Sequence, residues 1–270
     1  MRLYDAHNHL HDKRLQGSQP ALLGAAEKEG VRKMVVNGSS EEDWGQVLAI
    51  SKSSPILIPS FGYHPWYVHE RTKAWKEELI RHLDHAPAAI GEIGLDRWIK
   101  DYDLPLQEEM FVWQLRLAAD RELPLSIHCL QAWGRMFELL RAEPRPKCGF
   151  LLHSYGGPVE MILPLAKLGA YFSFPGYFAH ARKERQRERF RHVPPERLLI
   201  ETDAPDQPLP DELNAHPLAE QGTGKPLNHP ANLLSIYRFL AGMLNEPLDT
   251  FASRLEQNFK ILFAPVLQKP

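Results

Sequence analysis

Eight short apolar runs alternate with segments of helical spacing along the 270 residues, and this repetition constrains the fold more than any other feature of the chain. The runs lie at 2–7, 31–37, 55–62, 88–94, 123–128, 148–153, 170–174 and 197–203. Most are apolar throughout rather than alternating, as expected for parallel strands covered on both faces. Segments 20–30, 41–53, 106–123 and 157–169 have helical periodicity, and Gly30 and Gly169 stand where helix C-caps belong. Two more amphipathic helices are expected at 230–245 and 248–263. Strand followed by helix, repeated at roughly 30-residue spacing, predicts a closed α/β TIM (β/α)8 barrel, with residues 1–270 as a single domain. An open doubly wound sheet is the competing arrangement, but no glycine-rich phosphate loop follows the first run. The proline-rich part of 204–230 reads as a long functional loop.

Bulk properties narrow the setting. A net charge of −2 gives no global basic field to recruit nucleic acid or anionic membrane, although a local patch could still do so. Cys129 and Cys148 are too few for a disulfide framework. The first residues show no leader pattern, and no apolar run approaches ~18 residues. The expectation is a cytoplasmic protein with no membrane segment and no obligate protein partner.

The residues that end the runs carry the chemistry. In "YDAHNHL", His7 and His9 alternate, so an extended strand projects both imidazoles to one side. The third run leads to His64 in "GYHPW", and the fourth carries Glu92 in "GEIGLD". The fifth and sixth end in His128 and His153, and the eighth ends in Asp203 of "ETDAP". One histidine at a strand end is more often a hydrogen-bonded rim residue than a ligand. Several ends delivering histidine and carboxylate to the rim where barrel enzymes build their sites point to metal. His7, His9 and Asp203 supply donors for one divalent cation, His128 and His153 for a second, and Glu92 bridges them. Zinc, manganese or magnesium suits such donors. Six ligands for two ions leave open positions, which suits catalysis rather than a structural role.

Other residues have plainer readings. Asp5 would orient one of the histidines, or be a hydrogen-bonded rim carboxylate. Glu201 should face away from Asp203 by alternation and act structurally. Cys129 should likewise be a buried, inert thiol, and His11 a loop residue. The run 181–190 is rich in arginine. It reads as a solvated helix face with paired charges, against a functional alternative of gripping phosphates. Trp66, Trp98, Trp133 and Tyr177 follow strand ends and could stack bases, though packing is the commoner role for each.

Taken together, "YDAHNHL", "GYHP", "GEIGLD", "LPLSIH", "LLHSYGG", "LLIETDAP" and "NFKILF" resemble the TatD-family metal-dependent hydrolases over nearly the whole chain. The resemblance implies a TIM barrel of the metal-dependent hydrolase superfamily and divalent-cation-dependent deoxyribonuclease activity, often 3′-to-5′ exonucleolytic, with DNA as substrate. It implies metal ligands at His7, His9, Glu92, His128, His153 and Asp203, and places His64 near a substrate phosphate. The chain departs from the family pattern at Leu130 and Thr223, where basic residues are common, and in the stretch Ser154 to Gly157.

The expected reaction is phosphodiester hydrolysis by water activated at two metals. Asp203 would both ligate and take the proton, with Glu92 bridging and His64 and Lys225 neutralising developing charge. The loss of two rim cations leaves room for an enzyme that hydrolyses an amide, ester or lactone with the same cup. A non-catalytic, partner-binding barrel is the remaining alternative, and the open donor set speaks against it.

Overall fold

The computed structural model describes residues 1–267. Its main sheet has eight parallel strands in sequence order. These are β1 (Leu3–Asn8), β2 (Val31–Asn37), β3 (Leu57–Phe61), β4 (Ala89–Asp96), β5 (Leu125–Leu130), β6 (Phe150–Leu152), β7 (Ala170–Pro175) and β8 (Leu198–Glu201). The helices wrapped around them are α1 (Gln19–Lys28), α2 (Glu41–Ser51), α3 (Trp75–His85), α4 (Leu104–Arg121), α5 (Trp133–Ala142), α6 (Ile162–Lys167), α7 (Glu184–Arg189), α8 (Leu233–Met243) and α9 (Leu248–Leu262). This is the (β/α)8 barrel that the sequence predicts.

Burial explains why the strands read as continuous apolar runs. Every residue of β1, β3, β4, β6, β7 and β8 is buried, so neither face of the sheet meets water. Each Leu, Ile or Phe buried in this way contributes ~1.5–3 kcal/mol. The helix ends follow the glycines. α1 and α6 stop one residue before a C-cap that is followed by Gly30 (φ 96°) or Gly169 (φ 103°), in the left-handed region that L side chains resist. The helix expected over 157–169 begins only at Ile162, after a 3₁₀ turn over Val159–Met161. The Tyr155 hydroxyl donates to the Pro158 carbonyl at 2.7 Å, which holds the preceding segment in a bend. The loop 204–230 carries a small antiparallel pair, β9 (Leu218–Ala219) and β10 (Pro226–Leu227).

The seam where β1 meets β8 is sealed largely by side chains. Asp5 accepts from the Thr202 N–H (3.0 Å) and the Thr202 hydroxyl (2.6 Å). The Tyr237 hydroxyl of α8 accepts from the Tyr4 N–H and donates to the Tyr4 carbonyl, both at 3.1 Å. At the rim, Asp203 N–H donates to His7 O (3.0 Å) and His9 N–H to Ala204 O (2.7 Å). Asp5 also accepts from the His7 N–H and the Asn8 side-chain amide, both at 3.3 Å, so no histidine ring is among its partners. Of the two readings of Asp5, orienting a histidine ring is corrected and the hydrogen-bonded carboxylate is found. At this position the carboxylate ties two strands together, because the seam offers it donors and the imidazoles point away.

Replacing Asp5 by Ala strands the Thr202 N–H and hydroxyl in a fully buried seam. The change is expected to cost ~2–5 kcal/mol, a fall in Tm of roughly 5–15 °C by thermal denaturation. A Tm within about 2 °C of the parent would show that the seam does not rest on this carboxylate.

Candidate metal centre at the barrel rim

The six expected donors come from five strands or the residues just past their ends, His7 and His9 sharing β1, and five of them surround the sixth, the Glu92 carboxylate. Glu92, in β4, turns Oε2 toward His7 Nε2 (3.4 Å) and His9 Nε2 (3.3 Å). The same two nitrogens lie 3.6 and 3.5 Å from Asp203 Oδ1. The other oxygen of Glu92, Oε1, faces His128 Nδ1 (3.1 Å), His153 Nε2 (2.8 Å) and His64 Nε2 (3.3 Å). All are buried except His9, whose side chain keeps 16% exposure toward the rim.

The backbone is shaped to allow this convergence. β4 and β5 run so close that a side chain at Gly94 would collide with the carbonyl oxygen of His128. A Cβ at Gly62 would sit 2.8 Å from the Gly91 backbone. Asp203 has φ 55°, and β8 has already ended at Glu201. Strand alternation therefore does not reach Asp203. Glu201 turns inward instead, bonded to the Ser154 N–H (2.7 Å), the Ser154 hydroxyl (2.6 Å) and the Ser173 hydroxyl. The alternation argument is corrected here, while the structural role expected of Glu201 matches these partners.

Bonds behind the rings decide which nitrogen faces the cup. His9 Nδ1 donates to the Asn37 carbonyl (2.8 Å), and His128 Nε2 donates to Asp96 Oδ2 (2.9 Å). His7 Nδ1 pairs with Ser126 Oγ at 2.6 Å. His9 Nε2 and His128 Nδ1 are therefore the nitrogens turned toward the carboxylate oxygens of the cup. Two pairs of ring nitrogens, His7 Nε2 with His9 Nε2 and His128 Nδ1 with His153 Nε2, also face each other at 3.2 Å. Nitrogens and carboxylate oxygens gathered this closely in a dry site need positive charge among them, as protons or as a cation.

The titration behaviour says the same. Burial disfavours a charged Glu92, yet His153, then His64 and His7, more than offset this and hold it well below the usual carboxylate range. Burial lowers His9 as well, but Glu92 and Asp203 reverse the effect and raise it to about 9. Burial and the neighbouring His153 lower His7 to about 4. Asp203 is pushed up to about 7 by burial, against the pull of His9. Without metal the cup keeps protons, since contact with Glu92 outweighs burial to raise His153 as it does His9. Imidazole and carboxylate donors gathered in so dry a site suit a borderline or hard divalent ion, which would displace those protons. On this chemistry the residues fit divalent metal.

His64 sits differently. Its Nδ1 accepts from the Trp66 N–H at 3.2 Å as it caps a 3₁₀ turn over Pro65–Glu70. Burial lowers its pKa to about 4, so the ring is neutral and its proton is on Nε2, toward Glu92. Through that Nε2–H it faces the cup as a hydrogen-bond donor.

Three orienting residues escaped sequence reasoning. Asp96 holds His128 and Ser126 pairs with His7. Both lie an even number of positions from an expected ligand, Asp96 from Glu92 and Ser126 from His128, so alternation carried the signal. Gln207 donates to Asp203 Oδ2 and to Ser154 Oγ, and no pattern in the sequence marks it. Asn228, in the stretch that retains part of the family pattern, donates to the carbonyls of Thr202 (2.7 Å) and Gln207 (3.3 Å), bracing the loop that carries Asp203.

The remaining candidates separate cleanly. Cys129 is buried and its thiol is pushed up by burial. His11 is also buried, with Nε2 3.3 Å from Asp43. In the basic run, Arg187 donates to the carbonyls of Phe178, Ala179 and His180, Arg189 donates to Gly156 O, and Arg191 pairs with Glu188. These guanidiniums latch the loop after β7 onto its surroundings. Leu130 is exposed at the end of β5, and Thr223 donates to Glu220 (2.6 Å) in the β9–β10 hairpin, whose turn also exposes Lys225.

A family model described as TatD related DNase matches residues 4–264. The chain belongs to this family. Among TatD-family relatives, an uncharacterized metal-dependent hydrolase of Escherichia coli K12, YjjV, is 28% identical over 265 residues, covering 97% of this chain and 98% of its own. The 3′-5′ ssDNA/RNA exonuclease TatD of the same strain is 31% identical over 246 residues, covering 90% of this chain and 91% of its own. The crystal structure of YjjV superposes with a TM-score of 0.87, covering 97% of this chain and 98% of that one. A TatD family hydrolase from Entamoeba histolytica reaches 0.86 at 20% identity, a likeness of fold.

Replacing Asp96 by Ala removes the acceptor that fixes the His128 tautomer. Affinity for a divalent ion, measured by chelator competition, is expected to fall about 10–100-fold. Unchanged affinity would separate His128 from metal binding.

Proposed function

We propose that this TatD-family chain is a divalent-metal-dependent phosphodiesterase that degrades single-stranded nucleic acid, with His7, His9, Glu92, His128, His153 and Asp203 holding two cations. The observation that carries the reading is the gathering of these six side chains, four imidazoles and Asp203 around the buried Glu92, at the catalytic end of the barrel. The exonuclease named among its relatives supplies the substrate class. Divalent cations bound there would polarise a phosphoryl oxygen and lower the pKa of water toward ~7.

The protein groups have separate tasks. Asp203 is held through Oδ2 by Gln207, while Oδ1 faces the cup, where it can take a proton from the attacking water. The Nε2–H of His64 is free to donate to a phosphate oxygen once substrate displaces its contact with Glu92, and so favours the charge that builds in the transition state. Burial of the rings limits water to what enters from the rim. This strengthens each electrostatic contact within.

The experiment is digestion of end-labelled single-stranded DNA and RNA with magnesium, manganese or zinc supplied in turn, for the unaltered chain and Glu92→Ala. Cleavage that requires metal and falls on the order of 10³-fold or more in the variant is expected, a loss of ~4 kcal/mol of transition-state stabilisation. Equal cleavage by both proteins would refute the assignment. A second reading, hydrolysis of a small ester or amide by the same cup, is favoured by the uncharged rim at Leu130 and Thr223. Turnover of nitrophenyl esters without cleavage of any phosphodiester would select it.

A further inference from the structure

Large apolar side chains are seldom left in water without a reason, and several here gather beside the cup. Trp66 is 46% exposed and Trp98 is 64% exposed. Both are tied to Asp96, the residue that holds His128. The Trp66 indole donates from Nε1 to Asp96 Oδ2 at 2.7 Å, and the Trp98 backbone N–H donates to Asp96 Oδ1 at 2.6 Å. The Trp66 ring stands edge-on to His64, with centroids 5.2 Å apart, and to His128 at 6.4 Å. One side of this indole is therefore part of the wall of the candidate metal centre, and the rest faces solvent. Arg97, between Asp96 and Trp98, lies over the Tyr102 ring at 5.6 Å, adding a cation to the same loop.

The other two aromatics raised by the sequence are engaged elsewhere. Trp133 packs against Tyr155 with centroids 4.7 Å apart. Tyr177 is covered by Arg182 and Lys183 at 5.2 and 4.9 Å.

We propose that Trp66 is a base-stacking subsite that receives the nucleobase of the nucleotide adjoining the scissile phosphate. The inference rests on the nuclease reading and adds to it a specificity-determining residue. An indole face accepts any base, because every base has a π-face, so this contact recognises the presence of a base rather than its identity. The bond to Asp96 fixes the ring before substrate arrives, so little side-chain freedom is lost on binding. The geometry is also continuous with catalysis. Trp66 and His128 share one carboxylate oxygen, and a base seated on the indole sets its own phosphate beside the rings that line the cup.

The test uses single-stranded oligonucleotides carrying one abasic site, placed in turn at each of the three nucleotides on either side of the cleaved bond. The metal-loaded protein, Trp66→Phe and Trp66→Leu are compared by kcat/KM. For the unaltered protein, one abasic position is expected to cost about 5–150-fold, the worth of one stacked base. Trp66→Phe, which loses the indole N–H but keeps an aromatic face, retains most of that penalty. Trp66→Leu loses it, and its kcat/KM on the intact strand drops to near its value on the abasic one. An abasic penalty that is the same in all three proteins overturns the subsite, as does cleavage by the unaltered protein at a rate indifferent to every abasic position. Equal damage by Phe and Leu on intact and abasic strands alike also overturns it, showing that the indole only positions Asp96. No cleavage of any oligonucleotide overturns the nuclease reading first and the subsite with it.

Discussion

A single buried carboxylate governs this molecule. Glu92 lies within 3.4 Å of five imidazole nitrogens, each carried by a different turn of chain or a different position of a strand. Burying a charge costs several kcal/mol unless its surroundings compensate, so a fold that keeps Glu92 ionised must bring partners to it. The barrel does so by construction. Parallel strands point the same way, their C-terminal ends share a rim, and β1, β3, β4, β5, β6 and β8 each deliver one or two side chains from there to a common point. The glycines of β4 then let it run close against β5, Gly91 beside Ser126 and Gly94 beside the His128 backbone.

The surroundings of the cup follow from this hub. Asn37 and Asp96 claim the outward nitrogens of His9 and His128 and Ser126 pairs with that of His7, so the second nitrogen of each ring is turned to the centre. The Asp5 seam and the left-handed backbone at Asp203 bring the end of β8 against β1, without which His7 and Asp203 would not meet. Gln207 and Asn228 brace the loop that bears Asp203. The core gathers imidazoles and carboxylates so densely that positive charge must sit among them, as protons in the bare protein or as cations when metal is bound.

Much of this was legible in the sequence, and for a physical reason. Burial on both faces forces parallel strands to be apolar, so a histidine or carboxylate ending such a run stands out, as His128, His153 and Asp203 do. The HxH at His7 and His9 gains its meaning from alternation alone. Asp96 and Ser126 were equally readable by that rule and were passed over because each sits within a run that already held a more conspicuous residue. Alternation leaves the two readings of Asp5 open, because it gives the side of a strand and not the donor waiting there; Thr202 decides for the hydrogen-bonded carboxylate. The inward turn of Glu201 depended on where β8 ends, and helix and strand ends are set by tertiary contacts such as the Asp203 bond to His7. Gln207 had no signal, since its contact is fixed only by the folded loop. The arginines after β7 looked available for phosphate, yet they serve backbone carbonyls that the sequence cannot show.

The central claim is that the cup around Glu92 holds divalent cations. Anomalous scattering from crystals of the full chain soaked in manganese tests it directly. Strong peaks are predicted within bonding reach of His7, His9 and Asp203 on one side of Glu92, and of His128 and His153 on the other. Saturating manganese that leaves this space without a peak, with the rings still hydrogen-bonded to Glu92, would contradict the account.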